Sequence, residues 1–277
     1  MEALKFRKAV LLVSLCLWTL TVFPLVKEDT IFQSDYLLIL NTYTSDAPWS
    51  NAIISPVLQW LNMERKTEVY VENMNMLMID DSLKLADLKT NIFAKYGKKK
   101  PKAVLLLGNS MMLFRNEMRE AWGDVPLILC GEESYMGPDD CYIKKYPVVP
   151  SEQVPLTNFT EEYNLTLLQT RVFIEENVKL LQHMIPGMKK IILIGDGRYV
   201  NQQLNTDMKQ LLQKAYPELE YDFYSAANMT TDSLLLKLNK VDSATTGVLL
   251  SSWFTRQVVA GNVQLQANSF QVISNSV

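Results

Sequence analysis

The chain has one histidine, His183, and three cysteines, Cys16, Cys130 and Cys141, so the chemistry open to it is narrow. His183 falls at the end of a predicted helix, just before Pro186-Gly187, with no cysteine or carboxylate at ligand spacing. A zinc site needs several such donors together, and no metal is expected. Ser-His-Asp and Cys-His catalysis need an imidazole beside the nucleophile and a third group to orient it. A lone histidine at a helix end offers little support for either. Gly195-Asp196-Gly197 lacks the third glycine of a dinucleotide fingerprint and reads as a tight strand-to-helix turn. Two acidic pairs, Glu132-Glu133 and Asp139-Asp140, read as solvated loop surface, although Glu132 falls at a strand end. These residues predict no catalysis and no cofactor.

What remains is binding. A ligand cleft is built from aromatic faces and a few convergent polar groups. Tyr43, Trp49 and Trp253 supply rings beside predicted strand ends, and Asn41, Asn109, Ser110, Glu132, Asp196, Ser251 and Ser252 supply polar groups. The ligand-binding candidates are Asn41, Tyr43, Trp49, Asn109, Ser110, Glu132, Asp196 and Trp253. Each ring has a competing role in covering the sheet edge. For Ser110, at a helix start, the competing role is a cap.

The elements that must position these groups follow one grammar. Tyr36–Asn41 is a nearly continuous apolar run, as in a parallel strand buried on both faces. A polar cluster ends it, and Pro48-Trp49 opens a helical spacing through Met63, with Pro56 as a kink point. Glu68–Glu72 alternates as a second strand. Asn73–Asp81 reads as an irregular linker, and Asp81-Ser82 caps a helix over Leu83–Tyr96. Lys102–Leu107 and Pro126–Leu129 are further strands with a short helix, Met111–Trp122, between them, and Tyr142–Val149 is expected as a fifth strand at an edge. In an open α/β sheet ligands bind at the carboxyl ends of the strands, where the candidate residues fall.

Residues 147–158, PVVPSEQVPLTN, carry three prolines and no helical period, and mark the expected crossing between lobes. A long helix is expected over Glu161–Met184, ended by Pro186-Gly187. The alternation then restarts: strand Lys190–Ile194, helix Tyr199–Ala215, strand Glu220–Tyr224, helix Asp232–Leu238, strand Gly247–Leu250, and a strand beginning at Phe270–Ile273. Strands separated by helices imply right-handed crossovers and parallel sheets, here twice.

Lys5, Arg7 and Lys8 precede Ala9–Val26, 18 residues without a charge. A basic flank before such a run is an export signal or a membrane anchor, and the length favours an anchor. Residues 1–34 are assigned to it, with everything from about residue 30 outside the cytoplasm, at the cell inner membrane. That compartment permits disulfides. Cys130 and Cys141 either form a local one or stand as a buried strand-end residue and a free thiol. Net charge is -3 with both signs interspersed, and no basic face suggests nucleic acid.

The ordered segments ILNTYTSDAPWS, EVYVENM, KAVLLLGNS and VPLILCGEESY resemble the first lobe of a type I periplasmic-binding-protein fold. NVKLLQHMIPGMKKIILIGDG and the strand ending LLSSWF are similar to its second lobe. The resemblance spans residues 36–275 and falls on the branch found in bacterial transporters and in sensor histidine kinases. It implies two Rossmann-like lobes, assigned as 35–155 and 156–277, with the second lobe incomplete. It also implies a small polar organic ligand of the sugar, amino-acid or nucleoside class. A homodimer is compatible with it. The functions it implies are a ligand-sensing region of a membrane-anchored two-component receptor and, alternatively, the solute-binding protein of an ABC transporter.

Overall fold

In the computed structural model, residues 36–64, 67–169, 172–259 and 262–266 are described. The expected anchor over 9–26 and the strand at 270–273 lie outside them. Among the described residues no helix is long and apolar enough to cross a membrane.

The first sheet grows outward from Tyr36–Asn41 (β1), five of whose six residues are buried. Glu68–Asn73 (β2) pairs parallel on one side and Ala103–Leu107 (β3) on the other. Leu127–Gly131 (β4) and Leu165–Gln169 (β7) extend the sheet, giving the order β2-β1-β3-β4-β7, all parallel. Helix α1 (Pro48–Glu64) starts on Pro48, whose fixed φ suits a first helical position, and runs on through Pro56. Helix α2 (Ser82–Tyr96) is capped by Asp81, whose carboxylate accepts the Lys84 N–H at 2.8 Å, and Arg115–Trp122 forms helix α3. Both faces of the sheet are covered. Leu38, Leu40, Leu106 and Phe114 belong to the larger core, and Ile39, Leu107 and Cys130 pack under α1 on the other face.

The second sheet has the order β10-β8-β9, again parallel, from Lys190–Gly195 (β8), Glu220–Ser225 (β9) and Thr246–Leu250 (β10). Helices α5 (Ile174–Met184) and α6 (Tyr199–Ala215) bury Val178, Met208 and Leu212 on one face. Helix α7 (Thr231–Leu238) buries Leu234 and Leu238 on the other. An antiparallel pair, Thr255–Val259 (β11) with Asn262–Gln266 (β12), follows and was not anticipated by the periodicity.

Three expectations are corrected. Tyr142–Val149 is not a strand. Asp139–Lys144 forms a short helix (α4) with acids in its first turn, where they complement the helix dipole, and Lys145 ends it in the left-handed region. The long helix over 161–184 is two elements. Asn164, at φ 47°, breaks the chain into β7, whose register Leu127↔Leu165 to Gly131↔Gln169 makes it part of the first sheet. Sheet pairing therefore carries the first lobe through Gln169, past the 155/156 division. The proline-rich stretch forms short 3-10 turns and a two-residue ladder, Tyr135–Met136 (β5) with Val154–Pro155 (β6). Cys130 and Cys141 are both buried and free, which leaves the thiol alternative and removes the disulfide.

Candidate functional site

Each sheet reverses its direction of winding beside its own first strand. In the first, β2 and β3 flank β1; in the second, β9 and β10 flank β8. Loops leaving the carboxyl ends of two such neighbours diverge and leave a crevice. Those loops carry Thr42 and Tyr43 after β1, Gly108–Ser110 after β3, Asp196–Arg198 after β8 and Ser251–Phe254 after β10. The loops after β1, β8 and β10 line a cavity of about 550 Å³ through Tyr43, Arg198 and Ser251–Phe254.

The polar groups at the strand ends turn mostly inward. Asn41 is fully buried and donates to Asn73 Oδ1 at 2.8 Å, while its own Oδ1 accepts the Tyr43 N–H at 3.2 Å. Asn109, also fully buried, donates to the carbonyls of Glu133 and Tyr135 at 3.1 and 2.9 Å and accepts the Glu132 N–H at 2.9 Å. These two amides fix the loops and present nothing to a ligand. Gly108 has φ +95°, and a Cβ there would lie 2.5 Å from Thr42 Oγ1, so only glycine lets the β1 and β3 loops meet. Ser110 Oγ sits 2.9 Å from Thr42 Oγ1, and both line a small chamber of about 30 Å³ below the cleft.

Glu132 is not solvated surface. Its carboxylate accepts the Asn109 N–H at 3.1 Å and the Tyr43 hydroxyl. Burial pushes its pKa up, opposed by the Asn109 N–H and the Arg198 charge. Its neighbour Glu133 is likewise not a surface acid, whereas Asp139 and Asp140 form exposed pairs with Arg115 and Lys144.

In the second lobe Asp196 is fully buried and fully used. Its oxygens accept from the Arg198 N–H at 2.9 Å and Nε at 3.0 Å, Asn201 Nδ2 at 2.8 Å and Ser252 Oγ at 2.8 Å. With those bonds made, Asp196 acts by holding Arg198. The guanidinium, missed from the sequence, lies between two rings, 4.8 Å from the Tyr43 centroid and 4.7 Å from that of Phe254. Tyr43 and Trp49 stand edge to face at 5.6 Å, both half-buried along the same wall. Trp253 belongs to the core: it is 1% exposed, packs with Ile192 and Ile194, and donates its indole N–H to Thr231 at 3.1 Å. It forms only the back of the cavity, and Phe254 supplies the ring that faces inward.

Of the eight candidates, Tyr43 and Trp49 come together at the cleft, and Ser110 and Glu132 line the chamber beneath. Asn41, Asn109, Asp196 and Trp253 are the supports behind them. Arg198 follows a turn in the sequence like any surface arginine. Its one signal was its place two residues after a buried strand-end aspartate.

No protein-family model matches the chain, and no match is found among curated protein sequences. Solved structures do resemble it. An ABC domain from Streptococcus pneumonia in complex with L-Trp shares 13% identity at a TM-score of 0.51, over 88% of this chain and 70% of its own. A periplasmic solute binding protein of an ABC transporter from Actinobacillus succinogenes, with bound D-allose, shares 12% at a TM-score of 0.48, over 79% of this chain and 70% of its own. The first of these likenesses, with the two parallel sheets, shows the fold alone: it is a periplasmic-binding-protein-like fold.

Proposed function

We propose that this chain is the extracytoplasmic small-ligand-binding region of a membrane-anchored signalling receptor, acting by lobe closure rather than by catalysis. The observation that carries the reading is the cavity of about 550 Å³ at the carboxyl ends of both sheets. Its size lies in the range of small-molecule sites, roughly 300–1,000 Å³. Tyr43 and Trp49 offer stacking faces from one lobe, and Arg198 and Phe254 a charge and a ring from the other. A flat polar molecule fits that lining, of the kind that the L-Trp held by the streptococcal neighbour exemplifies. The basic flank and uncharged run at residues 5–26 support the anchor. The same cleft would serve a transporter's solute-binding protein, and the two readings divide on what the whole protein attaches to it.

Heating the purified chain with a panel of sugars, amino acids and nucleosides tests the reading. A ligand at a hundred times its Kd adds about 2.7 kcal/mol, a rise in midpoint of roughly 5–10 °C for a chain of this size. Trp49→Ala is expected to weaken that ligand about tenfold, or ~1.4 kcal/mol, by calorimetric titration. No shift with any member of the panel would sink the ligand-cleft reading.

A further inference from the structure

The Arg198 guanidinium is held along one edge and open along another. Its Nε lies 3.0 and 3.1 Å from the two oxygens of Asp196, and its Nη2 lies 2.9 Å from Oδ2. The rings of Tyr43, from the first lobe, and Phe254, from the second, stand 4.8 and 4.7 Å from its central carbon. A guanidinium spreads its N–H donors along the edges of one plane. Asp196 takes those of the Nε–Nη2 edge. The donors of the Nη1–Nη2 edge have no hydrogen-bond partner among the described residues, and Nη1 is not enclosed. Arg198 lines both the cavity and the chamber beneath it. Its open edge therefore gives onto the ligand space, and the Asp196 bonds and the two rings fix its direction.

The charges around that edge decide what it can take. The charged residues lining the cavity and the chamber are Asp46, Glu132, Lys145 and Arg198; Glu133 and Asp207 line neither space. Asp46 stands exposed at the rim, in water. Glu132 gives its oxygens to the Asn109 N–H and the Tyr43 hydroxyl rather than to the open edge. Lys145, at the end of α4, donates to the Ile79 and Ile143 carbonyls at 2.6 and 3.0 Å, which hold its ammonium without cancelling its charge. Inside the rim, then, Arg198 and Lys145 stand against Asp196 and Glu132. The sum is zero with Glu132 ionised and +1 with Glu132 protonated, the form that its burial favours. One further negative charge is the most that this set balances.

We infer that Arg198 sets the specificity of the cleft: its open edge takes a single carboxylate, carried on a flat ring that lies against Tyr43 and Trp49. The planar fork of a guanidinium matches the two oxygens of a carboxylate and holds them bidentately. A neutral sugar or nucleoside leaves the charge of the fork unanswered. An amine sets a like charge beside it, and a phosphate dianion brings a second negative charge that the set does not balance. The inference rests on the cleft reading and narrows its ligand to planar monocarboxylates. The carboxylate belongs either to a plain aromatic acid or to an aromatic amino acid, whose ammonium would have Asp46 within the same lining.

Calorimetric titration of the full chain with matched ring compounds tests this. Phenylacetate, indole-3-acetate and nicotinate are each paired with their amides, phenethylamine and phenyl phosphate are added, and L-phenylalanine and L-tryptophan stand for the amino acids. An acid of the set is expected to bind about 30-fold tighter than its amide, and the amine and the phosphate not to bind. Arg198→Gln should bring the acid down to the affinity of its amide and leave the amide unchanged. Arg198→Lys keeps the charge but not the fork and should recover only part of the difference. If Arg198→Gln does not fold, as judged by circular dichroism, the acid–amide comparison in the parent chain decides alone. L-Phenylalanine binding tighter than phenylacetate supports the inference with an amino acid as the source, and the reverse supports it with a plain acid. An amide or amine that binds as tightly as its acid overturns the inference and leaves the cleft standing. So does binding confined to sugars or nucleosides, or an unchanged acid affinity in folded Arg198→Gln. If no compound of any class binds, the cleft reading fails and this inference with it.

Discussion

The strand-end loops of the two lobes solve the same problem with different charge. In the first lobe a buried amide, Asn109, ties the β3 and β4 loops together through backbone groups alone. In the second lobe a buried carboxylate, Asp196, ties the β8 and β10 loops together. A buried amide needs only hydrogen bonds, whereas a buried carboxylate needs a cation as well. The second lobe therefore holds Arg198 at its rim against Asp196, and the first lobe's own strand-end acid, Glu132, is met by the Asn109 N–H, the Tyr43 hydroxyl and the same Arg198 charge. The difference explains why the cleft is ringed by Tyr43 and Trp49 on one side and armed with a guanidinium on the other.

That contrast can be broken most severely from the second lobe. Trp253→Ala removes a fully buried ring behind the loop and is expected to cost about 3–5 kcal/mol of stability, read as a lower urea midpoint. Trp49→Ala, half-buried, should cost clearly less in the same titration. Asp196→Ala leaves Arg198 without its partner at 14% exposure and deletes the bonds from Asn201 and Ser252, which keep only their bond to each other; about 3 kcal/mol is expected, at the low end for a broken buried pair because the cation reaches water. Asn109→Ala leaves neutral partners unpaired and should cost about 2 kcal/mol. If the two loops lose the same amount, the charge argument fails. The smallest effect is Tyr43→Phe, which deletes the hydroxyl bond to Glu132 but keeps the ring under Arg198. About 1 kcal/mol should be lost by chemical denaturation, with ligand stacking retained.

The strand–loop–helix grammar was legible because parallel strands buried on both faces read as apolar runs. Tyr36–Asn41, Lys190–Ile194 and Val104–Leu107 needed no partner to be seen. The edge strand Leu165–Gln169 was not legible. With Leu168 exposed and only Leu165 buried, its period could pass for a helix face, and Asn164's left-handed turn leaves no mark in a single sequence. For the site, the sequence pointed to the right loops but to the wrong layer. Asn41, Asn109 and Asp196 are polar at strand ends because they tie loops together. The residues that face the cavity stand one step farther out, and Arg198 and Phe254 are distinguished there only by three-dimensional position. Glu132 shows the same limit: it reads as one of two solvated acids until its carboxylate is seen to accept the Asn109 N–H and the Tyr43 hydroxyl.

The two free cysteines of the first lobe have a practical consequence. Cys130 is 6% exposed and Cys141 is fully buried against Gly137, and burial raises both thiols, Cys141 to about 12. An alkylating reagent needs a thiolate it can reach. Neither sulfur offers one in the closed lobe, so each modification event marks an opening of the fold. The modification rate of Cys130 and Cys141 is a chemical clock for the breathing of that lobe, already wound into the chain.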